Sequence, residues 1–212
     1  MEAFKSHRGF LAVLNRANVD TDQIIPKQFL KSIKRTGFGE NLFYDWRYLD
    51  NGKPNPDFSL NRESFKNASI LVTRNNFGCG SSREHAVWAI AQYGFKAVIA
   101  PKKSHADSTI PAFADIFRNN SNKNGLLTIE LSEAEVDQIF EFVERFKRVE
   151  ATVNLDEQRV VLHLAEEVAF HFEADKAVKE RMIHGLDDIG ITLRHEKELT
   201  AFEKKHDSQL SR

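Results

Sequence analysis

One cysteine, Cys79, stands among 212 residues. It cannot close an internal disulfide, and alone it cannot supply the three or four thiolates that an iron–sulfur cluster usually takes. Any such cluster must come from a partner. An excess of charge of one sign is also missing: 30 basic side chains face 31 acidic ones, for a formal charge of -1. No net field therefore favours nucleic acid or an anionic membrane, and a small neutral or anionic ligand is the better default. Long apolar runs are absent too. The longest near the start, Phe10 to Leu14, is too short for a signal-peptide core, has no small-residue cleavage pattern after it, and is far from a membrane span. The cytoplasm is the expected compartment, consistent with an unpaired thiol. Repeats and low-complexity tracts are lacking, and the eight histidines show no paired spacing with carboxylates that suggests a metal site.

What is present is ordinary globular material, 41% apolar and 29% charged. A single domain is expected over residues 1–212, with a C-terminal helical extension from about 194 to 212. Phe10 to Leu14 reads as a strand, followed by a polar loop from Asn15 to Asp22. From Lys31 to Asn61 glycine, proline, asparagine and aromatics alternate without period, which reads as a long irregular loop of the kind that is commonly functional or disordered. Ser69 to Arg74 reads as a buried strand, and Asn75 to Gly80 as a turn. A helix from about Ser82 to Tyr93 stops at Gly94, and Ala97 to Ala100 forms the next strand. A short helix around Phe113 to Asn120 leads to a strand from Leu126 to Leu131. Ser132-x-x-Glu135 has the capping-box spacing that opens a helix through about Phe146. Three strands within Val149 to Phe172 read as an antiparallel meander. Helices near Asp175 to Ile183 and up to about Lys205 flank a segment from Leu186 to Leu193. The order mixes β-loop-α-β units with antiparallel strands, so a layered β/β/α arrangement within the α/β class, a mixed sheet with flanking helices, is expected.

Chemistry concentrates in Asn75-Asn76-Phe77-Gly78-Cys79-Gly80-Ser81-Ser82-Arg83-Glu84-His85. A strand enters a glycine-bracketed turn that opens directly onto a helix, where unpaired N–H groups and the positive end of the dipole suit a carboxylate or a developing oxyanion. Arg83 adds a planar fork for a carboxylate. A plainer reading stands beside this one, since Ser81-x-x-Glu84 also fits a capping box that would spend the serine on backbone donors. Gly78-x-Gly80 has no third glycine for a dinucleotide fingerprint, and no Gly-Lys-Ser/Thr phosphate loop occurs. Cys79, small and set between glycines, reads more readily as inert than as a nucleophile.

The stretch NFGCGSSREHAVWAI resembles the active-site motif of the swivelling domain of the aconitase superfamily. NVDTDQIIPKQFLKSIKRTGFGENLFYDWRY, FADIFRNNSNKNGLL and HGLDDIGITL are similar, in the same order, to blocks of the isopropylmalate dehydratase small-subunit family. The resemblance runs from about Asn18 to Leu193. It implies the swivelling-domain fold and a hydro-lyase active only with a large subunit. It further implies that this large subunit holds a [4Fe-4S] cluster while this chain binds no cofactor. The implied reaction isomerises 2-isopropylmalate to 3-isopropylmalate through 2-isopropylmaleate in leucine biosynthesis. Ser81 matches the family's catalytic base, Arg83 its substrate-binding arginine, Ser82 the second hydroxyl lining the site, and Asp22 its active-site aspartate. His85 belongs to the pattern but is assigned no chemistry. The loop after Asp22 carries substrate choice in this resemblance, so Phe29, Leu30 and Ile33 are the apolar candidates for the isopropyl group. Sister hydro-lyases acting on citraconate, methylmalate or homoaconitate share the motif, and a non-catalytic binding module is the alternative from another class. One departure is plain: the family's Ile-Ala-Pro-Ser-Phe-Ala-Asp-Ile-Phe is interrupted here, with residues Lys102 to Ala112 between Pro101 and Phe113. Being polar and without apolar period, the insertion is expected to lie exposed and mobile.

Overall fold

A computed structural model describes residues 1–31, 35–81, 83–104, 108–193 and 196–210. Its organising element is β1 (Ser6–Leu14), whose two halves bear different burial. Residues Ser6 to Phe10 are exposed or half-buried and pair antiparallel with β6 (Glu150–Asn154), whereas Leu11 to Leu14 are buried throughout and pair parallel with β2 (Ile70–Thr73). That contrast follows from what covers each part, because parallel strands lie under helices on both faces and antiparallel strands tolerate water on one. Beyond β2 come β3 (Ala97–Ser104) and β5 (Leu127–Ser132), all parallel. On the other side β6, β7 (Arg159–Leu162) and β8 (Val168–His171) continue as the antiparallel meander. Among the described residues the result is a mixed α/β fold, an eight-stranded sheet with β1 as the seam.

Helices complete the layers. The one-turn α1 (Thr21–Ile24) and α2 (Tyr44–Arg47) precede β2. Helix α3 (Glu84–Tyr93) joins β2 to β3 and stops on Gly94, and α4 (Asp115–Asn124) leads into β5. Helix α5 (Glu133–Phe146) buries Val136, Ile139 and Val143, a one-sided stripe that faces the sheet. After the meander come α6 (Lys176–Ile183), α7 (Asp188–Leu193) and α8 (Glu196–Leu210). Among the described residues no helix is long and apolar enough to cross a membrane.

Several sequence expectations need adjusting. Both β1 and β3 are longer than their apolar runs, because pairing with β6, β5 and a further strand carries them through polar residues. The segment from Leu186 to Leu193 contains α7, and the last helix runs past Lys205 to Leu210. The stretch from Lys31 to Asn61 is irregular, yet its described part is ordered by aromatic packing: Phe38, Leu42, Phe43, Phe58 and Leu60 are buried, and Phe43 stacks on Trp46 at 5.6 Å. The insertion after Pro101 is also structured where described. Residues Lys103 and Ser104 pair antiparallel with β4 (Thr109–Ile110), forming a hairpin, and Ala112 is fully buried. Backbone hydrogen bonding along a sheet edge accepts polar side chains, so the lack of apolar period is no guide there.

Candidate active site at the ends of the parallel strands

Three chain segments leave the carboxyl ends of the parallel strands side by side. The middle one, Asn75 to Ser81, follows β2. On one flank it is tied to the segment after β1, with Asn18 N donating to Asn75 O at 3.0 Å, Gly78 N to Val19 O at 2.8 Å and Thr21 N to Cys79 O at 3.0 Å. On the other flank Asn76 N donates to Pro111 O at 2.8 Å, Phe77 N to Ala112 O at 2.9 Å, and Ala114 N to Phe77 O at 3.0 Å. The inserted hairpin thus hands its last residues to the motif loop. Open α/β sheets bind ligands at this end of their strands.

Glycine is required at two points of the loop. At Gly78, φ is +76° and an added Cβ would lie 2.2 Å from Phe117 Cγ. At Gly80, φ is +85° and an added Cβ would meet Asp20 Cβ at 3.2 Å. Both values of φ lie where side chains other than glycine's are strained, and the close approach to Phe117 leaves no room for one.

Across the loop, α1 is closed by a capping box. Asp20 Oδ1 accepts from Gln23 N at 2.8 Å, and Gln23 Oε1 accepts from Asp20 N at 3.0 Å. The box fixes the turn that carries Asp22. Arg83, 61 residues away in sequence, donates from Nη1 to Asp22 Oδ1 at 2.5 Å. Lys27 Nζ lies 3.4 Å from Asp22 Oδ2. The Arg83 side chain is 23% exposed and that of Asp22 38%, so the pair is partly shielded and partly open to solvent.

Ser81 is exposed at the head of α3. The capping reading of this serine is not realised. The N-cap of α3 is Arg83, with no side-chain cap bond, and the Glu84 carboxylate instead accepts from Asn124 Nδ2 at 2.9 Å. Asn124 Oδ1 in turn accepts from Trp88 Nε1 at 3.0 Å, so Glu84 and Trp88 lock α3 to α4. His85 packs edge-on to Phe38 at 5.2 Å and beside Trp88 at 4.8 Å, which gives it a packing role. Burial, reinforced by the charge of Asp20, pushes the Cys79 thiol up, which disfavours its thiolate.

Of the sequence candidates, Ser81, Arg83 and Asp22 are thus brought to one end of the sheet. Phe29 and Leu30 lie half-buried on a 3-10 turn over Lys27–Lys31, packed against the core, with the Phe29 ring 4.9 Å from that of Tyr44. Ser82 and Ile33 lie outside the described residues. Sequence reading passed over Asp20, whose spacing to Gln23 is a capping signal, and the engagement of Lys27 with Asp22, for which no local pattern exists. Among the described residues no group of three or more histidine, cysteine, aspartate or glutamate side chains is placed to hold a metal ion.

Comparison with known proteins shows the family. The family model for the aconitase C-terminal domain matches residues 1–134, and that for the C-terminal domain of the 3-isopropylmalate dehydratase small subunit matches residues 188–209. A 3-isopropylmalate dehydratase small subunit from Desulforapulum autotrophicum is 53% identical over 97% of this chain and 96% of the relative. One from Rhodopirellula baltica is 54% identical over 96% and 98%, and one from Bacillus licheniformis 51% identical over 99% of each. A crystal structure of 3-isopropylmalate dehydratase from Methanocaldococcus jannaschii superposes with a TM-score of 0.61, covering 93% of this chain and 99% of that one, and at 24% identity it shows the fold. With the motif loop, its paired arginine and aspartate, and near-complete coverage by relatives at half identity or more, the chain belongs to the family of 3-isopropylmalate dehydratase small subunits.

Proposed function

We propose that this chain is the small subunit of a 3-isopropylmalate dehydratase, a hydro-lyase that interconverts 2-isopropylmalate and 3-isopropylmalate through 2-isopropylmaleate. In this reading it acts in the cytoplasm, in leucine biosynthesis, on a 2-hydroxy dicarboxylate. The observation that carries the reading is the pairing of Arg83 with Asp22 at the head of α3, where the Ser81 hydroxyl is exposed rather than spent on a cap.

The chemistry follows from those groups. Dehydration removes a proton from the carbon next to a carboxylate and expels hydroxide from its neighbour. Ser81 is the base for that proton. A serine hydroxyl is a poor base unless its alkoxide is stabilised, and the positive end of α3 together with the Arg83 guanidinium lowers that cost. Arg83 also holds the substrate carboxylate, because a fork that donates one Nη to Asp22 retains further N–H groups for a second oxyanion. Asp22 orients the guanidinium, and the resemblance assigns a second hydroxyl to Ser82 and the choice of the isopropyl group to Phe29, Leu30 and Ile33.

A single thiol does not suit a cluster that usually takes three or four. The [4Fe-4S] cluster that the resemblance implies therefore belongs to a large subunit, and with it the handling of the departing hydroxyl. What this chain contributes is binding, orientation and the acceptance of a proton. Anaerobic reconstitution with the large subunit of the same organism tests the reading, with 2-isopropylmalate, methylmalate, citraconate and homoaconitate as substrates. Turnover of 2-isopropylmalate only when both subunits are present is expected. Preference for another substrate would move the chain to a sister hydro-lyase, and inactivity on all of them would make it a binding module.

A further inference from the structure

The Asp22 carboxylate serves two cations, one on each oxygen, Arg83 on Oδ1 at 2.5 Å and Lys27 on Oδ2 at 3.4 Å. One guanidinium already neutralises it, so the three side chains together carry a surplus positive charge. The two contacts are unequal. The arginine contact is short and half-shielded, whereas that of Lys27 is longer than the usual 2.7–2.9 Å of a charge-assisted hydrogen bond, and the lysine side chain is 72% exposed. A pair this exposed stabilises the fold by little.

The lysine stem nonetheless rises from a fixed base. Ile25 and Pro26 are buried, Phe29 N donates to Pro26 O at 3.0 Å to close the turn, and Phe29 and Leu30 rest against the core. One short turn therefore presents a loosely held ammonium and, two and three residues on, a half-buried apolar face. That combination suits a molecule in which a carboxylate neighbours a branched alkyl group.

Resting on the function proposed above, we infer that Lys27 is a substrate-binding residue. Its ammonium leaves Asp22 and, together with Arg83, grips the substrate carboxylate next to the carbon that loses its proton. Asp22 then acts as a placeholder: each of its two oxygens holds one of the two cations until an incoming carboxylate takes them up. When substrate departs, Lys27 returns to Asp22, and neither cation is left unpaired.

The test uses the reconstituted two-subunit enzyme with 2-isopropylmalate and its two monomethyl esters as competitors. Lys27→Met is expected to raise KM for 2-isopropylmalate about ten- to hundredfold, the loss of one hydrogen bond to a charged group, with a smaller change in kcat. Lys27→Arg should restore most of the affinity, and Lys53→Met, at an exposed lysine outside this loop, should change nothing. In the unaltered enzyme esterifying either carboxylate should weaken binding. In Lys27→Met the penalty for one of the two esters should largely vanish, which is the coupling expected of a direct contact. An unchanged KM in Lys27→Met, or equal ester penalties in both enzymes, would overturn the inference while leaving the function standing. A fall in kcat alone that Lys27→Arg fails to rescue would overturn it as well. Inactivity of the unaltered pair on 2-isopropylmalate would instead remove the functional reading on which it rests.

Discussion

Two helix starts in this molecule are spelled alike and built differently. At Ser132-x-x-Glu135 the box closes: Glu135 N donates to Ser132 Oγ at 3.3 Å, and Ser132 N and Oγ donate to Glu135 Oε2 at 2.8 and 2.6 Å. At Ser81-x-x-Glu84 the glutamate is taken by Asn124 of α4, the cap passes to Arg83, and the serine stays exposed. The same four-residue spacing yields a satisfied helix end in one place and an unspent hydroxyl in the other. The difference lies in a tertiary partner that competes for the acid. A local motif predicts local satisfaction only when nothing from elsewhere in the chain claims one of its members.

Deleting each hydroxyl in turn should separate the two helix starts. In the reconstituted enzyme Ser81→Ala should lower kcat by at least about a hundredfold, as loss of a general base commonly does, with the melting temperature unchanged. Retained turnover, or a falling melting temperature, would return Ser81 to a structural role. Arg83→Lys comes next, since an ammonium replaces the fork shared between Asp22 and substrate. KM should rise by about tenfold, and steady-state kinetics with unchanged KM would take Arg83 out of the site. Ser132→Ala should do the reverse of Ser81→Ala: about 1 kcal/mol of stability lost, a melting temperature lower by about 2–4 °C, and kinetics unaltered.

The smallest effect is a pH dependence at the opposite end of the sheet. His7 accepts or donates one hydrogen bond with Ser69 at 2.7 Å, and burial, then the charge of Lys96, holds its pKa below the ordinary 6.5. A depressed histidine pKa means that the unfolded chain takes up the proton first. Stability is therefore full above the unfolded pKa and falls as pH drops through it towards the folded value. Melting curves between about pH 7.5 and 5.5 should show this slope, and His7→Gln should flatten it. An unchanged slope in the variant would assign it to another group.

Much of the fold was legible because its causes are local. The α5 capping box, the stop at Gly94, the buried run of β2 and the turn between β6 and β7 each follow from residues within one element. The site was legible in part. Resemblance pointed to Ser81, Arg83 and Asp22, and the structure shows Arg83 and Asp22 paired. What sequence did not yield depends on distant partners. The fate of Glu84 turns on Asn124, the order of the inserted hairpin on β5 and β4, and the engagement of Lys27 on a carboxylate already held by Arg83. None of these leaves a periodic trace, because polar residues at a sheet edge or loop are placed by pairing rather than by burial.

Whether Ser81 moves the proton is read directly by isotope exchange. Run in D2O, the two-subunit enzyme should form 3-isopropylmalate that carries deuterium on the carbon next to a carboxylate. With Ser81→Ala, deuterium incorporation should all but cease while 2-isopropylmalate still binds. Incorporation at close to the normal rate in that variant would show that another group takes the proton.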